Sequence, residues 1–435
     1  SPTVAGGFFW AFADEGIERT DQNRRIDNVG NSAPDGIVGA HHEKEGSYFA
    51  VKEIWSPVEL RDLRFANGRV SMTVENRYDF TNLAQGQLRW RARRLPEAGH
   101  RGEAQTFASG LVALPALAPH ESRAWDLPVK VATLGANEVL ELTAVDARDQ
   151  EVWTWVVRNN AETPRNTATT SPRIRKDGNR VSVDGYRLEF DPGTGMLANL
   201  VARGRSVPLR GPRLVAWQRA PKQRSFIDVA GASTLRSLEL APGDGETLAR
   251  ARYDGALREV VWKIRGDELL VSYHIAYEGA ADILGVTFDY PEKTVTGKRW
   301  VGEGPYRIWK NRLAGTTFGL HQTNYSRSVP GVSYEYPEFE GYFGAWDWLE
   351  MHTRPADVII RNRGNVPYFA LYAPTPVEKP ILELPDLGWS FLHAVPPIGT
   401  KFALPDVLGP QSQPAVFTSP IDGELGFTFA EIPVK

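Results

Sequence analysis

The stretch Gly6-Gly-Phe-Phe-Trp-Ala-Phe-Ala-Asp-Glu-Gly16 decides how the rest of the chain is interpreted. It places the large apolar side chains of Phe8, Phe9, Trp10 and Phe12 directly before two acidic residues and a glycine. A short apolar run that ends in this way is typical of a buried strand that delivers polar groups at its carboxyl end. In a (β/α)8 barrel, that end is the active-site face. The residues alone also allow a hydrophobic strand followed by a solvated turn.

Beyond this stretch, one short helix precedes a long region of strands. Tyr48–Trp55 predicts about two helical turns, which end at Pro57 because the residue before a proline avoids the helical conformation. From residue 58 onward apolar residues alternate with polar ones, which is the period of a half-buried strand. The dipeptide Asn67-Gly68 predicts a tight hairpin between two such runs.

The patterns divide the chain into four parts. Residues 1–57 hold this stretch and the short helix, and the resemblance described below implies that they are the incomplete C-terminal end of a barrel. Residues 58–165 predict an immunoglobulin-like β-sandwich. Residues 166–176 are read as a polar linker, and residues 177–435 as one large β-sandwich with frequent glycine turns. Together with that resemblance, the predicted fold class is mainly β: a C-terminal fragment of a (β/α)8 barrel, then an immunoglobulin-like β-sandwich, then a large β-sandwich.

Composition excludes several classes of function. The 435 residues carry a net charge of -3, which argues against a nucleic-acid partner because such proteins need a basic face. No apolar run is long enough to span a membrane, so we expect a soluble protein of the bacterial cytoplasm, the periplasm or the exterior. The absence of cysteine excludes disulfides and thiolate chemistry.

Several motifs, in the same order as in the family, resemble family-two glycoside hydrolases of the β-galactosidase type. The resemblance covers essentially the whole chain and implies the C-terminal portion of such an enzyme, with a large β-sandwich of the β-galactosidase small-chain type. The motifs are Gly6–Asp14, Asp35–Gly39, Glu43–Glu45, Lys52–Pro57, Gly302–Arg307, Trp309–Arg312, Tyr334–Gly341 and Ile398–Phe402.

The resemblance implies a retaining β-galactosidase that hydrolyses terminal β-D-galactosides with two glutamates. In the family both glutamates lie on earlier barrel strands, upstream of the position of Ser1, so we expect this chain alone to be inactive. The implied partners are a galactoside or related oligosaccharide and an N-terminal half or complementary subunit, with a homo-oligomer as a further expectation. The implied cofactor of the complete enzyme is a monovalent or divalent cation, Na⁺ or Mg²⁺.

Three candidate substrate-binding residues lie near the start of the chain. In the family, the residue that matches Trp10 forms an apolar platform for the galactose ring, although a core tryptophan is the simpler interpretation. Asp14 either lines the pocket or caps the following turn. Asp35 matches a polar position near substrate and a bound cation, so it is a candidate sugar ligand and metal ligand. A Pro34-Asp35-Gly36 turn without a ligand explains it equally well.

The other candidates lie in the loop after residue 389. Trp389–Phe402 resembles a family loop that reaches back to the barrel mouth and places an aromatic residue beside the substrate. His393, Lys401 and Phe402 are therefore candidate substrate-binding residues. The alternative is an ordinary surface loop stiffened by Pro396-Pro397.

Two stretches carry weaker signals. Tyr334–Glu350 interleaves aromatic and acidic residues, as in carbohydrate sites, but two strands around a glycine turn explain it better. His41 and His42 are adjacent, and adjacent side chains diverge, so a solvated loop is favoured over a zinc site. Two further hypotheses stay open: a non-catalytic carbohydrate-binding or scaffold module, and a polysaccharide lyase whose Tyr and His would come from residues 321–345.

Overall fold

A computed structural model describes most of the chain and shows a mainly β protein, as predicted. The described residues are 8–27, 36–39, 41–131, 134–159, 172–242, 245–324, 341–354, 356–364, 366–371, 387–400 and 402–430. Asp35, Lys401 and residues 166–171 of the predicted linker lie outside them, as do residues 334–340 of the aromatic and acidic stretch. No helix among the described residues is long and apolar enough to cross a membrane.

The N-terminal segment, residues 8–57, contains a small hairpin and one helix. The hairpin pairs β1 (Ile17–Arg19) with β2 (Arg25–Asp27), and the helix α1 spans Gly46–Ile54, close to the predicted two turns. Residues 8–12 form no strand, which corrects the predicted buried strand. Only a single parallel bridge joins Ala13 to Val38. Because the run has so little strand pairing among the described residues, its aromatic side chains stay exposed.

Seven strands form the middle sandwich. One sheet has the order β3-β4-β7 and the other the order β6-β5-β8-β9. The inward-facing residues of both sheets form a single apolar core that includes Val74, Leu88 and Leu142. The strands are β3 (Val58–Ala66), β4 (Arg69–Asn76), β5 (Gln87–Arg94), β6 (Gln105–Ala113), β7 (Ser122–Asp126), β8 (Glu138–Val145) and β9 (Glu151–Arg158), with a 3₁₀ helix at Leu83–Gln85.

The sequence pattern explains how this sandwich forms. On β4 the buried and partly exposed residues alternate along Arg69–Asn76, so one face points into the core. Asn67 and Gly68 connect β3 to β4 with φ angles of 52° and 74°. Asparagine and glycine tolerate this left-handed region best, and two such residues make the turn that matches strand twist. The predicted hairpin is therefore confirmed.

Among the described residues, the large sandwich packs an eleven-stranded sheet on a nine-stranded sheet. The first has the order β10-β11-β12-β13-β15-β22-β29-β28-β25, with β14 on β13 and β16 on β15. The second has the order β17-β18-β19-β20-β31-β27-β26-β23-β24, and β21 pairs separately with β30. All the pairings described within these two sheets are antiparallel, both between consecutive strands and between strands far apart in the chain.

The strands of the large sandwich begin at Arg175. They are β10 (Arg175–Asp177), β11 (Arg180–Val183), β12 (Tyr186–Phe190), β13 (Leu197–Ala202), β14 (Arg205–Val207), β15 (Arg210–Arg219), β16 (Phe226–Asp228), β17 (Thr234–Leu240), β18 (Thr247–Asp254), β19 (Leu257–Arg265), β20 (Glu268–Ile275), β21 (Gly279–Ala281), β22 (Ile283–Asp289), β23 (Val295–Gly304), β24 (Thr317–Asn324), β25 (Gly341–Gly344), β26 (Trp348–Thr353), β27 (Asp357–Asn362), β28 (Tyr368–Leu371), β29 (Trp389–Ala394), β30 (Ala415–Phe417) and β31 (Ile421–Ala430). Three 3₁₀ helices lie at Glu292–Thr294, Pro405–Val407 and Pro410–Ser412.

Aromatic side chains fill the space between the two large sheets. Trp262, Phe288, Phe391 and Phe427 are fully buried and contact one another through edge and tilted ring packing. Each such side chain buries about 150–250 Å², so a few of them account for much of the apolar stabilisation. Most of the unusual aromatic content of the sequence is therefore structural.

The two sandwiches are in direct contact. Arg158, at the end of β9, donates hydrogen bonds of 2.6 and 2.8 Å to both carboxylate oxygens of Asp347, before β26. The same guanidinium lies 3.7 Å from the ring centre of Phe318. An apolar cluster that includes Leu95 and Trp348 continues the contact. Asp347, which belongs to the Tyr334–Glu350 stretch, therefore joins the two sandwiches.

Candidate functional site

Trp10 lies on an exposed apolar surface. Its side chain is 90% exposed, and Phe8 is 105% exposed. Phe9 contacts Trp55 with a ring-centre distance of 4.8 Å, and Phe12 is also exposed. We call Phe8, Phe9, Trp10, Phe12 and Trp55 the aromatic surface. Exposed apolar surface of this kind marks a binding site for a ligand or for another protein.

Asp14 follows Phe12 closely in the sequence, and it is only 8% exposed. Its Oδ1 accepts a hydrogen bond of 2.8 Å from the amide of Gly36, and its own amide donates to the carbonyl of Val38 at 2.9 Å. A Cβ at Gly36 would lie 2.4 Å from the backbone of Ala13, so only glycine allows this approach. Asp14 therefore positions the segment that follows Asp35, and its role toward substrate stays a prediction.

Glu45 is a half-buried carboxyl group of the Glu43–Glu45 motif that was not among the candidate site residues. Burial, together with the negative charge of Asp14, raises the pKa of Glu45 to about 7, while Arg307 and Arg312 oppose the rise. Its Oε1 is buried and accepts no hydrogen bond among the described residues. A carboxyl group with a pKa near neutrality, beside charged partners, is a candidate functional group.

Helix α1 holds the N-terminal segment against the large sandwich. The ring of Tyr306 stacks on Phe49 with centres 5.1 Å apart, and its hydroxyl donates to the carbonyl of Lys44 at 3.0 Å. At the other end of the helix, Glu53 accepts a 2.6 Å hydrogen bond from the amide of Gly315. These contacts fix Glu45, at the start of the helix, relative to residues about 260 positions later in the chain.

A second anchor joins α1 to the middle sandwich. Lys52 Nζ lies 2.7 Å from a carboxylate oxygen of Glu151 on β9. The helix therefore contacts both sandwiches, and the aromatic surface is attached to them through it.

The turn at Trp309–Arg312 brings the C-terminal loop to the same region. Arg312 donates a 2.8 Å hydrogen bond to Ser47 Oγ on α1. In the same turn, Asn311 exchanges two hydrogen bonds with the backbone of Ile398, of 2.9 and 3.0 Å. The amide of Lys310 donates to the carbonyl of Pro396 at 3.0 Å. One turn therefore holds both α1 and the loop that leads to Phe402.

Phe402 is 92% exposed on this loop. The hydroxyl of Thr400 accepts hydrogen bonds from the amides of Phe402 and Ala403, at 3.2 and 2.9 Å, which shapes the loop tip. An exposed phenylalanine on a hydrogen-bonded loop is available to a ligand, as the resemblance implies for this position. Its contact with substrate stays a prediction.

His393 occupies a different environment. Its Nε2 is hydrogen-bonded to the hydroxyl of Tyr273 on the opposite sheet, 2.9 Å away. Burial lowers the pKa of His393 to about 4, although Asp422 opposes the shift. The ring is therefore neutral at pH 7 and turned between the sheets. The substrate-binding role of His393 stays a prediction.

The remaining candidates are resolved only in part. Asp35 and Lys401 lie outside the described residues. His321, which the lyase hypothesis needs, is largely buried beside Trp300, with ring centres 5.2 Å apart and its Nε2 3.0 Å from the carbonyl of Thr317. Among the described residues, His41 and His42 belong to no cluster of metal-binding side chains.

Comparison with known proteins identifies the relatives of this chain. A family model described as β-galactosidase, domain 4, matches residues 72–157, which lie in the middle sandwich. A β-galactosidase from Arthrobacter sp. (strain B7) is 25% identical over 469 residues, which include 93% of this chain and 45% of that protein. The chain thus spans less than half the length of this relative. The chain is therefore similar to a β-galactosidase over nearly its whole length, and its middle sandwich is similar to domain 4 of such enzymes.

Proposed function

We propose that this chain is the C-terminal part of a family-two retaining β-galactosidase and forms one wall of the subsite for the terminal galactose. Hydrolysis would use two glutamates that the resemblance assigns to an earlier part of the barrel, and the chain itself would supply binding contacts. The observation that carries this proposal is the aromatic surface, which stands directly before buried Asp14 and is anchored by α1 to both sandwiches.

The chemistry of a sugar fits this wall. One face of a galactose ring presents C–H groups, which pack on an indole, while its hydroxyls need hydrogen-bonding partners at the edge. Trp10 presents its indole to solvent, and Phe402 is exposed on the loop that the Trp309–Arg312 turn ties to α1. In this assignment the apolar contacts orient the ring, and carboxylates elsewhere in the barrel perform the acid–base and nucleophilic steps.

The aromatic surface also fits contact with the preceding part of the barrel. A barrel strand is covered by neighbouring strands and helices, and an exposed run of four large apolar residues is costly in water. In the proposed complete enzyme, some of Phe8, Phe9, Phe12 and Trp55 would pack against that part, which leaves Trp10 for the sugar. A cation, Na⁺ or Mg²⁺, is proposed at Asp35, and a homo-oligomer is a further expectation from the resemblance.

The test is complementation. The purified chain, the N-terminal half of a β-galactosidase, and their mixture are assayed with a nitrophenyl β-D-galactoside. We expect turnover only in the mixture. Hydrolysis by the purified chain alone would refute the proposal. Affinity for a galactoside without turnover in any mixture would favour the alternative of a non-catalytic carbohydrate-binding module.

The role of Trp10 is tested in the complemented enzyme with Trp10→Ala. One face of an indole offers roughly 80 Å² to a sugar, or about 2 kcal/mol at about 25 cal/mol per Å². This corresponds to a roughly 30-fold loss in kcat/KM. The matched control is Phe80→Ala, which removes an exposed aromatic side chain from the middle sandwich and should leave kcat/KM unchanged. Equal losses in both variants would contradict the assignment.

A further inference from the structure

Three metal-ligating side chains converge on the hairpin of β26 and β27, remote in the chain from the aromatic surface. The carboxylates of Glu350 and Asp357 and the imidazole of His352 each offer one ligand atom, and these atoms all lie within 4.8 Å of one another. His352 Nδ1 is 3.3 Å from Asp357 Oδ2 and 3.8 Å from Glu350 Oε1. The proposed function does not use this cluster.

The spacing of these atoms suits a small divalent cation. Ligands about 2.1 Å from a metal in tetrahedral or octahedral geometry lie roughly 3.0–3.4 Å apart. His352 Nδ1 lies 3.3 and 3.8 Å from the two carboxylates, and the three ligand atoms lie within 4.8 Å of one another, so the carboxylates need to move closer together around an ion. One imidazole with two carboxylates favours zinc or a similar transition metal over Ca²⁺ or Mg²⁺, which prefer oxygen ligands alone.

Glu350 provides an independent observation. It is only 4% exposed, and its Oε2 is buried and accepts no hydrogen bond among the described residues. Arg299 Nη1 lies 3.7 Å from this oxygen, which is an ion pair without a hydrogen bond. The other oxygen of this carboxylate, Oε1, is the one nearest His352. Because a buried carboxylate oxygen without a hydrogen bond is costly, an ion held by both oxygens of Glu350 would stabilise the fold.

A metal ion can reach the cluster from solvent, and the two nearby arginines, Arg299 and Arg101, have other places for their positive charges. His352 is partly exposed, so the cluster opens to solvent on that side. Arg299 directs its guanidinium to the backbone carbonyls of His100 and Gly102 in the middle sandwich. Arg101 is exposed and lies 3.9 Å from Asp357, close enough to pair with it and free to move to solvent.

We propose that Glu350, His352 and Asp357 bind one divalent transition-metal ion, with zinc as the probe, at the contact between the two sandwiches. The site lies beside the loop at 98–102, which the large sandwich already holds through Arg299 and through a 3.3 Å hydrogen bond from Arg361 to the carbonyl of Ala98. A bound ion stabilises only the folded state, in which its ligands are brought together.

The test is titration of the full chain with Zn²⁺ by calorimetry, with Mg²⁺ as the comparison ion. We expect one Zn²⁺ per chain, no comparable Mg²⁺ binding, and an unfolding temperature that rises with Zn²⁺ and falls back with EDTA. His352→Ala should weaken Zn²⁺ binding at least 10-fold. Asp357→Asn, which keeps the oxygen that accepts from the amide of Thr353, should weaken it similarly.

The matched control is His274→Ala. His274 Nδ1 lies 2.7 Å from Asp422, so it forms a histidine–carboxylate pair but is outside the three-residue cluster. Its loss should leave Zn²⁺ affinity within 2-fold. Circular dichroism of each variant without metal verifies that it is folded. Absence of a Zn²⁺ site in the folded wild-type chain, or equal weakening by His352→Ala and His274→Ala, would overturn the proposal.

Discussion

Replacement of Glu45 by glutamine should change how the stability of this protein depends on pH. Burial and Asp14 raise the pKa of Glu45 from 4.5 to about 7 in the folded protein. The folded state therefore binds more protons than the unfolded state between these values. By linkage, the ionised group costs stability above pH 7, and this cost disappears as the pH falls toward 4.5.

The size of the effect follows from the shift. A shift of about 2.5 units corresponds to about 3.4 kcal/mol at high pH, at about 1.36 kcal/mol per unit. Between pH 5 and pH 8 the cost of ionised Glu45 would grow by about 2.5 kcal/mol. Because the side chain is only partly buried, solvent screening reduces this, and we expect about 1–2 kcal/mol.

The assay is urea unfolding of the wild type and Glu45→Gln at pH 5 and pH 8. Glutamine keeps the shape of the side chain and removes its charge. The difference in unfolding free energy between the variant and the wild type should therefore be about 1–2 kcal/mol more favourable to the variant at pH 8 than at pH 5. The control Glu278→Gln, at an exposed loop position, should show no such difference. If Glu45→Gln and the wild type respond equally to pH, the carboxyl group is not buried beside Asp14 as described.

Two further substitutions test how the parts are joined. Arg158→Ala removes both hydrogen bonds to Asp347 and should lower the free energy of unfolding in urea by about 1–2 kcal/mol. The control Arg89→Ala breaks an exposed ion pair and should lower it by less than about 0.5 kcal/mol. Gly36→Ala places a Cβ 2.4 Å from backbone atoms and should make the N-terminal segment several-fold more sensitive to proteolysis, whereas Gly102→Ala, in open space, should not.

Local patterns in the sequence were sufficient for the elements whose causes are local. The helix at α1 and the hairpin at Asn67-Gly68 were both predicted, because helical spacing and turn chemistry act over a few residues. The alternation after residue 58 similarly indicated the strands of the sandwiches. These features depend on neighbours in the chain, which the sequence displays directly.

The features that were missed depend on residues far apart in the chain. Glu45 has a raised pKa because the fold partly buries it and brings the carboxylate of Asp14 near it, although Arg307 and Arg312 oppose the rise. Its place in the Glu43–Glu45 motif was visible in the sequence, but its burial was not. The cluster on β26 and β27 was also missed, because two of its ligands alternate along one strand and the third follows a turn.

The aromatic run at the start of the chain shows why a hydrophobic pattern alone does not fix burial. Phe8, Phe9 and Trp10 have the composition of a buried strand, yet a strand is buried only when other elements cover both of its faces and edges. In this structure the run is followed by a single bridge between Ala13 and Val38, and Phe9 packs on Trp55 at the end of α1. The rest of the run is exposed to solvent. The same side chains can therefore belong to a core or to a binding surface. Which of the two applies depends on what packs against them. For Trp10, a bound sugar and a neighbouring strand would compete for the same face of the indole.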